Sequence, residues 1–415
     1  MSTQYRHNHY VPEWYQKRFF PSATDTRKFY YLDLHPETVK VESGHSYKRA
    51  DVMYWGPQKC FAERDLYTTK FADFESTEIE EKFFGEIDKK GKRAVEYFSE
   101  FSHPSVDRNA FMDLMNYISV QKLRTPKGLE YLKSKTNTLE KNELLFRLQQ
   151  FRNVFCTMWA ECTWQLADCL DTETKFIISD HPVTVYNKGF FPRSALASKY
   201  GDPEIWNSGT HTYFPLSETR ILILSNLSWV RQPYGNPLAN RPNPNLFRQT
   251  IFNFTSIQTH RNLDELEVLK INHITKARAR RYVAARQRDW LYPEKHFSYK
   301  SWSDFGDEYL FMPDPRSVGF ATQTIIGYEN GRSQVFDEYG RRPGQTGFTR
   351  DVAPSDEWDS FQAFQGEYAR RFGPRRRGRC MEFTNLTNEE DSADFHRYHL
   401  SLEQNYSKKK RKRTR

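Results

Sequence analysis

The spacing of apolar side chains changes period partway along the chain. From Ser76 onward Ile79, Phe83, Ile87, Ala94 and Phe98 recur at roughly helical intervals, and Thr77-Glu78-Ile79-Glu80 just ahead of them fits a capping box. A second helix is predicted over about 106–124, stopping there because the residue before Pro126 is biased away from helical dihedrals. A third, carrying Leu144, Leu148, Phe151, Phe155, Trp159, Cys162 and Leu166, is predicted over about 139–170. After Asp171 the pattern becomes that of strands, at 176–179, 183–186, 211–214 and 220–224, before a last helix over about 263–286. Residues 1–74 are rich in rings and poor in long periodic segments, so they read as short elements packed on something larger. Helices first and strands later predict an α+β class: a helical N-terminal half packed on a mostly antiparallel or mixed sheet. The domain expectation is an α+β body over 1–290, a loop-rich C-terminal extension over 291–374 and a disordered basic tail over 375–415.

Composition narrows the class. Hydrophobic residues are only 37% of the 415, but aromatics reach 16%, and large rings bury as much area as many aliphatics. No apolar run approaches the ~18 residues of a membrane span, and the N-terminus is polar, unlike a secretory leader. The expectation is a soluble intracellular protein, cytoplasmic, or nuclear if the source is eukaryotic. The five cysteines are odd in number and form no C-x-x-C pair. Cys156, Cys162 and Cys169 fall within the third predicted helix, as small core residues. The net charge of +9 is unevenly placed: residues 371–415 hold 13 Lys/Arg against 6 Asp/Glu, so the other 370 residues are nearly neutral.

Candidate chemistry centres on Phe176-Ile177-Ile178-Ser179-Asp180-His181-Pro182. An apolar strand ends there in a hydroxyl, a carboxylate and an imidazole, and the proline stops regular structure. Asp180 serves either as a turn residue bonding backbone N–H groups or as a functional carboxylate. In the helix before Pro126, Gln121 falls in the middle of the apolar arc of Ala110, Phe111, Leu114 and Ile118, with Arg124 at its edge. A buried amide or guanidinium needs a polar partner, and Asp180 is a candidate for it. Two readings stand side by side: an internal network, or a pocket wall where Arg124 meets a phosphate or carboxylate. His7 and His9 suggest a shared metal, although two surface histidines are more often unligated. Glu80, in an acidic cluster that suits a helix start, is a candidate ligand or base beside Asp180. The basic run from Lys270 to Arg288 reads as a solvated face, or, with the tail, as a grip on a polyanion. No P-loop, H-E-x-x-H, G-x-S-x-G or dinucleotide fingerprint is present.

Together these landmarks resemble the domain-of-unknown-function family 4238. They are His9-Tyr10-Val11-Pro12 with Phe19, Gln121-x-x-Arg124-Thr125-Pro126, Ser179-Asp180-His181-Pro182, Phe214-Pro215-Leu216-Ser217, and Asn272 followed by Ala277-Arg278. They run in the family's order over about 7–290, with His181 where the family pattern more often has asparagine. The resemblance implies a domain but no reaction.

Two functions are expected from different classes. The first is a metal-dependent phosphodiester hydrolase, nuclease-like, acting on DNA or RNA. In it His9, Asp180 and Glu80 hold a divalent ion (Mg or Mn), and Gln121, Arg124, Ser179 and Asp180 form the catalytic set. The second is a non-catalytic nucleic-acid-binding or interaction protein, whose Lys408, Lys409, Lys410, Arg411, Lys412 and Arg413 give salt-sensitive affinity.

Overall fold

The computed structural model describes residues 7–20, 27–40, 45–71, 74–76, 79–101, 107–136, 140–191, 197, 201–241, 257–296, 309–319, 323–327, 330–337, 341–346, 348, 355–373 and 379–380. In chain order the N-terminal part contributes β1 (His7–His9), α1 (Glu13–Gln16), β2 (Phe29–Asp33), β3 (Thr38–Lys40), β4 (Ser46–Lys48), β5 (Val52–Trp55), β6 (Ala62–Arg64), β7 (Thr69–Phe71) and β8 (Phe74–Ser76). A π-helical turn, Ile79–Phe84, leads into α2 (Gly85–Ser99), α3 (Arg108–Arg124), α4 (Pro126–Thr136) and α5 (Lys141–Ala160). Then follow β9 (Cys162–Asp168), β10 (Ile178–Ser179), β11 (Thr184–Asn187), β12 (Thr210–Pro215), β13 (Arg220–Asn226), α6 (Leu227–Arg231), β14 (Gln258–Asn262), α7 (Glu265–Arg278) and β15 (Tyr282–Ala285). The C-terminal part adds β16 (Gln323–Gly327), β17 (Ser333–Asp337), α8 (Ser355–Phe372) and β18 (Arg379–Cys380).

Two sheets organise the protein, which is α+β. One has six strands in the order β11-β12-β13-β9-β14-β18 and is antiparallel except where β14 runs parallel to β9. The other has four strands in the order β10-β15-β2-β5. Residues before 76 thus supply half of the second sheet. Among the described residues no helix is long and apolar enough to cross a membrane.

The third predicted helix ends ten residues early, at Ala160, and Cys162–Asp168 is instead a buried central strand. Trp159, Cys162 and Leu166 keep helical spacing, but Cys162, Trp164 and Leu166 also alternate, and alternation prevails where a sheet takes both faces. The Trp164 ring lies 5.9 and 5.1 Å from Phe98 of α2 and Phe111 of α3. On the opposite face the Gln165 side chain donates to the Phe311 carbonyl at 2.9 Å. Cys156, Cys162 and Cys169 therefore do not share a helix: the first sits in α5, the second opens β9 and the third follows it. The last predicted helix also stops early, at Arg278, and 282–285 become β15. The extension, expected to be loop-rich, contains the 18-residue α8.

The junction of α3 and α4 positions the site described below. Thr125 ends α3 in an extended conformation (ψ 157°). Its hydroxyl accepts the Gly128 N–H at 3.1 Å, and its carbonyl accepts Leu129 N–H at 2.9 Å, so it caps α4, with Pro126 at the first helical position. Gly128 lies against the end of α3, where an added Cβ would come within 2.2 Å of the Lys122 carbonyl oxygen and 2.5 Å of that of Leu123. Both neighbours are backbone and cannot swing away. Gly128→Ala is predicted to lower stability by about 2 kcal/mol or more through overpacking, read as a fall in the urea midpoint. Gly235→Ala, whose nearest neighbour would be 3.9 Å away, should leave the midpoint unchanged.

Candidate functional site

Gln121 and Arg124 are fully buried and answer each other. The Gln121 carbonyl oxygen accepts from Arg124 Nε at 2.8 Å, and its amide donates to the Tyr10 carbonyl at 2.9 Å. The guanidinium pairs with Asp88 of α2, at 2.8 and 3.0 Å, not with Asp180. The close contact of α2 with α3 that brings Asp88 in depends on Gly91, where a Cβ would strike the Tyr117 ring at 2.4 Å. Gln121 and Arg124 thus tie α3 to α2 and to the Tyr10 backbone.

Asp180 is buried at the end of β10, and its carboxylate accepts three backbone N–H groups, from Arg280 at 2.9 Å, Arg281 at 2.6 Å and Tyr282 at 2.9 Å. Burial pushes its carboxyl above the ordinary value, against these three donors, which favour the anion. The clamp holds 280–282 extended, which is why α7 ends where it does. The Ser179 hydroxyl accepts the His181 N–H at 3.2 Å, a local turn bond. The Nε2 of His9 is 3.2 Å from the Gln58 carbonyl and 3.8 Å from Glu13. Among the described residues no group of three His, Cys, Asp or Glu side chains suits a metal ion. The Glu80 side chain lies outside the described residues, as do Lys408, Lys409, Lys410, Arg411, Lys412 and Arg413.

The basic run of α7 and beyond is part buried and part exposed, with Arg280 and Arg288 at the surface. Lys270 and Arg278 are buried. Lys276 pairs with Glu294, Arg278 with Asp202, Arg280 with Glu130, Arg281 with Asp33 and Arg286 with Glu218.

What the structure does bring together is a cleft of about 270 Å³ between the start of α4, the His181 turn and the segment 201–205. Lys122, Lys127, Tyr131, Phe155, His181 and Asp202 face into it. Lys122 is 9% exposed. Its ammonium has two neighbours, His181 Nε2 and the Val183 carbonyl, both at 3.5 Å. Among the described residues no carboxylate is within ion-pairing distance of it. Burial lowers its pKa from 10.5 to about 8. An ammonium has only hydrogens to offer, so Nε2 of His181 is the bare nitrogen, and Nδ1 carries the proton and donates to Thr125 Oγ1 at 2.7 Å. Burial, reinforced by Lys122 and Lys127, holds the imidazole well below its usual pKa, hence neutral. Lys127 bonds Asp202 at 2.7 Å, and Arg278 approaches the same oxygen at 3.4 Å. Burial alone would raise the Asp202 carboxyl, but these two cations hold it well below the carboxylate range.

Residues 140–289 match the model of a family described as a protein of unknown function, DUF4238, the family to which the sequence landmarks pointed. That segment carries Asp180, His181, Asp202 and Arg278, while Lys122, Thr125 and Lys127 precede it. No curated protein and no solved structure matches the chain.

Lys122 was passed over in the sequence because attention to one apolar arc treats the neighbouring position as solvent-facing. The available signal was a lysine ending an uncharged run from Leu114 to Gln121, which marks a helix buried all round.

Two predictions follow from this geometry. Lys122→Met is expected to stabilise the protein by up to about 3 kcal/mol at pH 7, since a pKa unit is worth about 1.4 kcal/mol. The sign follows from linkage: between pH 8 and 10.5 the unfolded lysine binds more protons than the folded one, so wild-type stability rises there and the variant's advantage shrinks. Urea melts of both proteins at pH 7 and pH 10 check this. Asp180→Ala strands three backbone N–H groups and is expected to cost about 3 kcal/mol or more in the same assay.

Proposed function

We propose that the protein is a hydrolase acting on phosphate esters and that the Lys122–His181 cleft receives the phosphate. The observation that carries this reading is the Lys122 ammonium, buried at a cavity wall with no carboxylate against it among the described residues and 3.5 Å from a bare imidazole nitrogen. A desolvated cation without a counter-ion favours an anionic ligand. When a phosphate oxygen takes the hydrogens of Lys122, Nε2 of His181 is released to accept a proton from water. The water oxygen forms a bond to phosphorus, the bond from phosphorus to the ester oxygen breaks, and the departing oxygen takes a proton from Lys122. The protonated imidazole then returns a proton to the neutral amine across the short gap between them, which resets both groups. Lys127, fixed by Asp202, adds positive potential at the mouth. The proposed steps use Lys122 and His181, while the Asp180 carboxylate accepts three backbone N–H groups.

The cleft has room for a single nucleotide rather than a duplex. Nucleic acid as the substrate would present one terminal phosphate there, with the Lys/Arg run from 408 to 413 supplying salt-dependent affinity for the rest of the polymer. The test compares the full chain with Lys122→Ala, Lys122→Arg and His181→Gln on nucleoside monophosphates and on short DNA and RNA. His181→Gln and Lys122→Ala are expected to lose roughly 100-fold or more in kcat, while Lys122→Arg keeps phosphate binding by calorimetry. Deleting 404–415 should raise KM for oligonucleotides and leave it unchanged for mononucleotides. Undiminished turnover in His181→Gln overturns the reading.

A further inference from the structure

Two lysines face the cleft, and they are placed differently. Lys127 is tied down: its Nζ donates to Asp202 at 2.7 Å and to the Arg278 carbonyl at 2.6 Å. Lys122 has two acceptors at 3.5 Å, Nε2 of His181 and the Val183 carbonyl, and among the described residues no carboxylate pairs with it. Two of its three hydrogens go to those acceptors. The third position on the nitrogen is left to the cleft of about 270 Å³ that the side chain lines. When that third hydrogen leaves as a proton, both retained N–H bonds keep their acceptors, and the lone pair takes the open position. Burial favours the loss, lowering the pKa to about 8. Roughly a tenth of Lys122 is therefore neutral at pH 7, a few hundred times the share in an ordinary lysine.

We propose that Lys122 is the nucleophile of an imine-forming site that takes a small aldehyde into the cleft. A desolvated lysine beside a base is the arrangement that makes an amine nucleophilic. The lone pair forms a bond to the carbonyl carbon, and the π pair of the carbonyl moves onto oxygen. Nε2 of His181 takes one of the two hydrogens on the nitrogen as a proton and hands it to that oxygen, which gives a carbinolamine. The C–O bond of the carbinolamine then breaks as nitrogen forms the C=N bond, and the oxygen leaves as water with the last N–H proton. Amine and aldehyde become imine and water, with no oxidant or reductant. Nδ1 stays bonded to Thr125 throughout, at 2.7 Å, so the ring relays the proton on Nε2 alone. Phe155 and Ile205, both buried, line the same cleft and supply an apolar wall against the water that would hydrolyse the imine. The site goes beyond phosphate-ester hydrolysis and does not depend on it: that reaction uses the hydrogens of Lys122, this one its lone pair.

The test incubates the full chain at pH 7 with glyceraldehyde and cyanoborohydride, which reduces an imine to a stable secondary amine, and locates labelled lysines over time by peptide mass mapping. Lys122 is expected to be labelled about tenfold or more faster than the exposed Lys59 and Lys89. In His181→Gln the labelling of Lys122 should slow by about fivefold or more, with Lys59 and Lys89 unchanged. Lys122→Arg keeps a cation for phosphate but has no nucleophilic amine, so the fast phase should vanish there while phosphate binding persists, which separates the two reactions of the cleft. Wild-type Lys122 labelled no faster than Lys59 and Lys89 overturns the imine site, whatever the phosphate-ester assays give. So does labelling of Lys122 at full rate in His181→Gln, or a fast phase that survives in Lys122→Arg.

Discussion

The structure depends on one carboxylate. Asp180 receives three consecutive backbone N–H groups from a segment one hundred residues away. These donors lie past the last helical residue and have no intrahelical acceptor, since the segment leaves helical geometry at Ala279 (ψ 150°). Satisfying them with a single anion converts helix into strand within three residues, so that β15 can pair with β10 on one side and β2 on the other. The same clamp fixes the first residue of the turn that presents His181 to the cleft. Asp180 thus acts on the site through the backbone.

Several buried arginines have a carboxylate against the guanidinium, whereas buried Arg241 donates to the Met158 carbonyl and the Cys162 sulfur. Arg124 has Asp88, Arg261 has Glu267 together with the Gln165 and Leu310 carbonyl oxygens, and Arg316 has Asp314. Each pair sets Coulomb energy and hydrogen bonds against the solvation lost on burial. Lys122, 9% exposed, meets an imidazole and a carbonyl at 3.5 Å, and among the described residues no carboxylate pairs with it. A group held in a state that folding alone would not favour, beside a cavity, is a physical signature of a functional site. Several cations after α7 do have acidic partners, Arg280 with Glu130, Arg281 with Asp33 and Arg286 with Glu218.

The C-terminal part does not merely trail from the body. Leu310 and Phe311 belong to the main core, the Phe311 carbonyl accepts from Gln165 and Ser225, and Gln258 exchanges hydrogen bonds with the backbone of Asp314. One face of the six-stranded sheet is thereby covered by residues beyond the segment that matches DUF4238, while α2 and α3 cover the other. A central strand as apolar as β13, with Ile221, Leu222, Ile223 and Leu224 all buried, requires cover on both faces.

The sequence by itself determined the class of the fold, the α3 stop at Pro126, the strands after Asp171 and the need of Gln121 and Arg124 for polar company. These are local facts: periodicity, proline sterics and the cost of a buried donor act within a few residues or demand a partner without naming it. It could not decide which partner. Asp88 rather than Asp180 meets Arg124 because Gly91 lets α2 approach. Cys162–Asp168 is a strand because neighbours on both faces took its side chains, although the spacing also suited a helix. Lys122 became the unusual charge only when the capped turn at Thr125 and the Asp180 clamp set it against His181. Tertiary structure decided these points, because each depends on the distance between groups far apart in the chain, and no local pattern encodes that distance.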